Sequence, residues 1–292
     1  MHWLAAVEQL RVDRVPGVLV TLVSVRGHAP REAGAKMVVS AERTWGSIGG
    51  GNLEATAVDR ARELLGTLGA GGGAGGGAGG GAGSGAADAA PTQLSLSLNE
   101  HALVEHGQQC CGGEVSVLLE PLAVVPSVAV FGLGHVGTEL ARILSRHDLE
   151  LHLVDGRKDR FEPDRLAGLG DAVARIHLHH APVPELVLGQ VPRGTHVLVM
   201  THDHAEDVAL CDAALRCSHL GSTGLIGSSA KWRRFEQRLA AEGHSADALR
   251  RIQSPIGLPG LAGKSPAVIA VAVAADLLAT IDRERAAQDA RS

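Results

Sequence analysis

Short apolar runs alternate with amphipathic stretches through the second half of the chain. The runs SVAVFG, ELHLVDG, HVLVMT and STGLIG have the length and composition of buried strands, whereas HVGTELARILSRH, HAEDVALCDAALR and KWRRFEQRLAAEG have helical spacing of their apolar residues. Strands that alternate with helices predict a parallel sheet covered on both faces. We therefore expect a Rossmann-like, doubly wound α/β domain over residues 126–285.

The first half of the chain has a different pattern. GVLVTLVSV, KMVVSA, QLSLSL and GEVSVLLEPL have the composition of strands, and LEATAVDRARELL has that of a helix with Asn52 as its N-cap. This mixture predicts a small α+β or α/β domain over residues 1–122. The prolines of PLAVVPS, Pro121–Ser127, indicate the boundary between the two domains.

A glycine- and alanine-rich segment, residues 69–91, interrupts the first domain between its helix and the next strand. A segment of this composition has no apolar side chains to bury in a core. We expect it to be a disordered surface insertion.

Composition excludes several classes of function. The aromatic content is 2% and the net charge is -5, which is a poor match to a nucleic-acid-binding surface. The N-terminus lacks the pattern of a signal peptide, and the run AVIAVAVAADLLATI is interrupted by Asp276 and shorter than the ~20 residues of a membrane span. We expect a cytoplasmic protein with neither nucleic acid nor membrane as partner.

The loop VFGLGHVG has the glycine spacing of a dinucleotide-binding site. Gly132, Gly134 and Gly137 follow a strand and open a helix, and Asp155 ends the next strand, where a carboxylate can bind ribose hydroxyls. The alternative is that the glycines serve only a tight turn and helix packing, because a fold does not fix its ligand.

Two further loops are expected at the same edge of the sheet. MTHDHAED contains His202, and GLIGSSAKWRRF contains Ser228 and Lys231 at a helix start, where serines, amides and a cation suit an anionic group. The alternative for Lys231, Arg233 and Arg234 is a solvated helical face. The imidazoles of His202 and His204, or of HLHH at 177–180, leave a zinc site open, although neither has a recognised zinc spacing.

The first half has its own candidate anion site. VRGHAPREAGAKM supplies Arg31 and Lys36, and GSIGGGN supplies Gly49, Gly50 and Gly51 directly before the helix. Glycine amides at a helix start form a cradle for phosphate or an oxyanion, and arginine adds forked donors. A plain glycine turn beside solvated basic residues is the alternative.

The stretch HGQQCCGGEV places two cysteines before two glycines. Cys110 and Cys111 could oxidise, bind a soft metal centre, react or pack, while Gly112 and Gly113 allow close approach of a ligand to the backbone. Cys211 and Cys217, in a helical run, are interpreted as small core residues.

Taken together, seven motifs resemble those of the XdhC/CoxI family of accessory proteins of xanthine dehydrogenase. In chain order they are VRGHAPREAGAKM, GSIGGGNLE, CCGGEVSVLLEPL, VFGLGHVG, MTHDHAEDVAL, GLIGSSAKWRRF and SPIGLPGLAGKSPAVIA. One departure lies in the last motif, where the family often has an acidic residue and this chain has the neutral Ala267 and Val268.

The resemblance implies a chaperone of the molybdenum cofactor and not an enzyme. Such proteins bind the molybdopterin form of the cofactor, support its sulfuration by a cysteine desulfurase and insert it into apo-xanthine dehydrogenase, and a homo-oligomer is expected. By the same resemblance, Cys110 and Cys111 become candidate contacts of the molybdenum centre. Arg31 and Gly49–Gly51 become candidates for its phosphate or pterin.

Two other classes remain as alternatives. An NAD(P)-dependent oxidoreductase would use the Rossmann-like half, although no acid or base is convincingly placed for hydride transfer. A structural or regulatory zinc protein would hold zinc through the histidines.

Overall fold

The computed structural model describes residues 2–69, 90–97, 113–261 and 263–289. The chain forms two compact units. One unit comprises residues 1–124 with 282–292, and the other comprises residues 125–281.

The first unit is an α+β structure built on an antiparallel sheet. Its helices are α1 (Trp3–Asp13) and α2 (Gly51–Gly69), and its strands are β1 (Gly17–Arg26), β2 (Lys36–Val39), β3 (Thr44–Gly46), β4 (Thr92–Ser97) and β5 (Glu114–Leu122). The strand order is β3-β2-β1-β5-β4, with antiparallel pairing throughout.

Helix α2 supplies one side of this unit's core. Leu53, Ala57, Ala61 and Leu65 recur every four residues, so they lie on one face of the helix, and all four are buried against residues of β1, β2 and β5. The predicted helix is thus confirmed, but the prediction that Asn52 caps it is wrong. The helix begins at Gly51, which places Asn52 inside the first turn. The predicted disordered insertion lies almost entirely outside the described residues.

The second unit has the predicted parallel sheet. Its strands are β6 (Ser127–Phe131), β7 (Glu150–Asp155), β8 (Arg175–His180), β9 (His196–Val199), β10 (Thr223–Leu225) and β11 (Ile252–Gln253). They are ordered β11-β10-β9-β6-β7-β8. Read in reverse, this is the order of dinucleotide-binding sheets, whose ligands bind where the order switches, here between β6 and β9.

Helices cover both faces of the parallel sheet. They are α3 (His135–Leu144), α4 (Pro163–Leu166), α5 (His204–Arg216), α6 (Ser229–Ala241), α7 (Ala246–Leu249) and α8 (Pro266–Asp289). Three short 3-10 turns lie at Lys158–Phe161, Ala167–Leu169 and Pro184–Gly189. Alternate strand residues face two separate cores, one shared with α5 and α6 and the other with α3 and α8.

The apolar run near the C-terminus is a core helix. Ala270, Val273, Ala274, Leu277 and Ile281 recur at helical spacing along α8 and pack with α3 and the sheet. Across the described part of the chain, no helix combines the length and apolar character that crossing a membrane requires.

In the second unit, the extent of one helix was predicted wrongly and one strand was not predicted. Helix α3 ends at Leu144, short of the predicted SRH residues, and HLHH is part of strand β8. The histidines obscured the strand because its inward positions are polar: His177 and His179 lie on the same face as His152 of β7.

Candidate functional site

The three glycines of the loop after β6 have different surroundings. Gly132 has φ +104° and abuts the backbone of Met200, whose oxygen would be 2.5 Å from an added Cβ. Gly137 packs so closely on the Gly132 carbonyl that a side chain would collide with it. Gly134, by contrast, has open space within 4 Å of its missing Cβ. Only Gly134 therefore faces free volume in which a ligand's phosphates can approach.

The carboxylate of Asp155 is enclosed by donors. Its Oδ2 accepts hydrogen bonds from the Leu133 amide at 2.8 Å and from Arg157 Nη2 at 2.8 Å. Its Oδ1 accepts from the Arg157 amide and Nε, both at 2.9 Å. Burial alone would raise the pKa of this carboxyl, but the hydrogen bonds from Arg157 and Leu133 outweigh it and hold the pKa below its ordinary value. Asp155 therefore tethers the glycine loop to the end of β7.

Asp207 ties together the loops that follow β9 and β10. Its side chain is fully buried and accepts from the Thr201 amide at 3.1 Å, the Thr201 hydroxyl at 2.8 Å and Lys231 Nζ at 2.6 Å. Lys231 also donates to the Ile226 carbonyl at 3.1 Å. Its ammonium is thus part of a buried ion pair and not of a solvated face, whereas Arg233 is exposed.

The remaining predicted residues of these loops lie at the surface. His202 is exposed, and Ser228 caps α6 by accepting from the Lys231 amide at 3.2 Å. Burial raises the pKa of the neighbouring Glu206 carboxyl, and the charge of Asp155 raises it further. The parallel pairing of β6 with both β7 and β9 places the ends of β7 and β9 at one edge of the sheet, as the sequence predicted.

A cleft of about 400 Å³ opens beside the glycine loop. It begins at Gly134 and His135, where no described side chain caps the first turn of α3, and continues along Thr138. Ser265–Ala267, at the start of α8, form its other wall. The first-turn amides of a helix attract anions, and the charged side chains that line the cleft have both signs: Glu139 and Asp164, Arg142 and Arg165.

In the first unit, three predicted stretches converge at one end of the sheet. Gly113 precedes β5 and sits against the carbonyls of Arg26 and His28, leaving no room for a side chain. Gly49 is equally close to the Pro30 ring, at 2.5 Å from its missing Cβ. The loop after β1, the glycine loop before α2 and the residue that follows the cysteine motif therefore form one cluster.

The amides of the glycine loop before α2 already bind an anion of the protein. The Glu54 carboxylate accepts from the Ser47 hydroxyl at 2.6 Å, the Gly50 amide at 3.0 Å and the Ile48 amide at 3.3 Å. A carboxylate that reaches back to the helix start is a known helix-capping arrangement. Within the predicted cradle of Gly49–Gly51, the Gly50 amide is thus bound by Glu54, with which an external phosphate would have to compete, and the Gly49 amide donates to the Ser47 hydroxyl at 3.2 Å.

The two basic residues predicted for this site are separated in their roles. Arg31 is exposed on the loop of the cluster. Lys36 donates instead to the Thr21 hydroxyl at 2.7 Å and lies 5.6 Å from the centre of the Trp3 ring. Its ammonium stabilises the packing of α1 on the sheet.

Of the two cysteines and two glycines predicted to contact a ligand, Gly113 belongs to the described residues, whereas Cys110, Cys111 and Gly112 lie outside them. The interpretation of the other two cysteines as core residues is confirmed. Burial raises the pKa of the Cys211 thiol to about 12, and Cys217 packs partly buried against the same core.

Three histidines of strands β7 and β8 lie close together. His152 stacks on His177 at 4.5 Å and on His179 at 5.3 Å between ring centres, and His177 Nε2 lies 2.6 Å from Glu150 Oε2. Within the described ranges, no three metal-ligating side chains are arranged to hold an ion.

Three residues that organise these sites were not predicted from the sequence. Arg157 lies two positions after Asp155. Glu54 lies four positions after Gly50, close enough for its carboxylate to reach the amides at the start of α2. Local spacing could therefore have indicated both residues. Asp207 had no such signal, because its partners Thr201 and Lys231 come from different loops.

The second unit has the sheet order and glycine geometry of a dinucleotide-binding Rossmann domain. Residues 128–277 match the family described as XdhC Rossmann domain, and residues 10–71 match the XdhC and CoxI family. The chain belongs to the XdhC/CoxI family.

The individual proteins that resemble this chain share little of its sequence. The chain is 21% identical to an uncharacterized protein of Escherichia coli, YqeB, over 92% of this chain, and spans 44% of that protein's length. A crystal structure of a xanthine dehydrogenase from Bacillus halodurans has a TM-score of 0.45 at 18% identity, covering 98% of this chain and 97% of that chain. The E. coli tRNA N6-threonylcarbamoyladenosine dehydratase has a TM-score of 0.42 at 12% identity, covering 57% and 88%. These two structural similarities carry no functional argument.

Proposed function

We propose that this protein is an accessory factor in xanthine dehydrogenase maturation, which binds the molybdenum cofactor and delivers it to the apo-enzyme. Family membership supports the maturation role. The observation that carries cofactor binding is the cluster in the first unit, where Gly113 brings the chain that follows Cys110 and Cys111 against the loop of Arg26 and His28.

The chemistry of this cluster suits a labile cargo. Thiols are soft ligands for a sulfur-rich molybdenum centre, and exposed Arg31 supplies forked donors for the cofactor's phosphate. Because Glu54 already satisfies the loop amides, the empty protein needs no ligand to keep this loop folded. Reversible loading, with a cysteine desulfurase as sulfur donor and a second copy of the chain as partner, completes the proposal.

The test is binding of isolated molybdenum cofactor by the wild type and by Cys110→Ala, Cys111→Ala and the double variant. We expect stoichiometric binding by the wild type and at least a tenfold loss of affinity in the double variant. Cys217→Ala is the matched control, because this thiol packs against the core of the other unit. Equal affinity of the wild type and the double variant would remove the thiols from the site, and no binding by folded wild type would remove the chaperone role.

The second unit supports a second candidate, a nucleotide site at the glycine loop, either regulatory or in an NAD(P)-dependent oxidoreductase. The open face of Gly134 beside the uncapped start of α3 favours it, since pyrophosphates bind at such helix starts. Titration with NAD+ and NADP+ tests for the site, and hydride transfer during the titration distinguishes the oxidoreductase.

A further inference from the structure

The state of Asp155 bears on which nucleotide the second unit would bind. A carboxylate has about four acceptor positions, and Asp155 receives four hydrogen bonds, one from Leu133 and three from Arg157. An acidic residue at this position can bind ribose hydroxyls only if its carboxylate oxygens have free acceptor positions. In this protein, a nucleotide could reach the Asp155 oxygens only by displacing charge-assisted bonds in a buried setting.

Arg157 is held where the ribose of a bound dinucleotide would lie. Two of its five side-chain N–H donors bind Asp155, which leaves the others for a ligand. The Arg157 side chain remains 27% exposed, whereas that of Asp155 is 4% exposed. The residue that meets an incoming ribose is therefore the arginine and not the acid.

The charges around Arg157 are of both signs, and the carboxylates of Asp155, Asp159 and Glu206 all raise the pKa of its guanidinium. Asp155 and Arg157 balance each other, and Asp159 is engaged by Arg160 at 3.5 Å. Lys158 is exposed beside them, and the uncapped start of α3 adds positive potential. An arginine near the ribose is the feature that accommodates a 2′-phosphate.

We infer that the second unit binds an adenine dinucleotide phosphorylated on its adenosine ribose, in preference to the unphosphorylated form, and that Arg157 contacts this phosphate. The inference rests on the nucleotide site proposed above. The phosphate binds as a forked guanidinium partner while Asp155 keeps the guanidinium in place.

The experiment is isothermal titration of the full chain with NAD+ and NADP+, which differ only in that phosphate. We expect NADP+ to bind at least tenfold more tightly, with a preference that weakens as salt rises because it depends on charge. In Arg157→Gln the ratio should fall towards one, and in Arg157→Lys it should be partly retained. Arg216→Gln is the matched control, because Arg216 makes the same two-nitrogen contact with Asp212 on α5.

The outcomes separate the two proposals. Binding of NAD+ as tight as that of NADP+, or an unchanged ratio in folded Arg157→Gln, overturns the assignment of Arg157 and leaves the nucleotide site standing. Binding of neither dinucleotide to the wild type overturns both. If Arg157→Gln fails to fold, Arg157→Lys and the ratio of NAD+ and NADP+ affinities of the wild type still test the inference. A wild type that binds both dinucleotides equally tightly is sufficient to refute it.

Discussion

At the scale of single residues, acids hold both glycine loops in shape. Asp155 fixes the loop after β6 and Glu54 fixes the loop before α2, each by accepting backbone amides of glycine-rich sequence. Glycine motifs identified both loops in the sequence, but not their internal acceptors. The sequence assigned Asp155 to a ribose from its place at the end of β7, although the arginine two positions further on could have indicated a local partner.

The contrast between Gly137 and Gly134 gives a prediction at this scale. Gly137→Ala forces a methyl group into the Gly132 carbonyl, so we expect a loss of about 2 kcal/mol in the free energy of unfolding. Gly134→Ala points into open space and should cost much less stability while weakening nucleotide binding. Denaturant unfolding of both variants measures this, and equal destabilisation would contradict the roles assigned to the two glycines.

At the scale of elements, the edge strand β8 shows where sequence patterns fail, whereas its neighbour β7 was predicted correctly. Leu151 and Leu153 face one core as a buried strand predicts, but the opposite face carries His152, His177 and His179. An apolar pattern cannot report a strand whose inner face is built of stacked imidazoles. The strands with continuous apolar runs, β6 and β9, were predicted correctly.

One of these imidazoles, that of His179, makes the β7–β8 edge sensitive to acid. Burial lowers the pKa of His179 below its ordinary value of 6.5, and His177 lowers it further. As pH falls, the His179 imidazole is therefore protonated in the unfolded chain before it is protonated in the folded protein. The contribution of the neutral His179 to stability is complete above pH 6.5 and is lost as pH falls through the lower pKa of the folded state.

We expect His179→Gln to flatten the fall in stability on acidification below pH 6.5, relative to the wild type. Thermal unfolding across this range measures the effect, with the exposed His147→Gln as control. Parallel pH profiles for the wild type and His179→Gln would show that the imidazole cluster does not carry this dependence.

At the scale of the whole molecule, the described residues of each unit present one candidate site. The first unit gathers the β1 loop, the α2 glycine loop and the chain after the cysteines, and the second presents a glycine loop with a fixed arginine. The order of the Rossmann elements could be predicted because each strand and helix has its own periodicity. The convergence of the three segments in the first unit could not be predicted, because the antiparallel pairing of β1 with β5 brings together segments that are far apart in sequence.

We propose above that this protein delivers the molybdenum cofactor to apo-xanthine dehydrogenase. The most direct measurement is the activity of apo-xanthine dehydrogenase after incubation with this protein loaded with sulfurated cofactor, compared with an equal amount of free cofactor. We expect activation well above that by free cofactor, and loss of the excess in the Cys110→Ala, Cys111→Ala double variant. Activation no greater than that by free cofactor would contradict it.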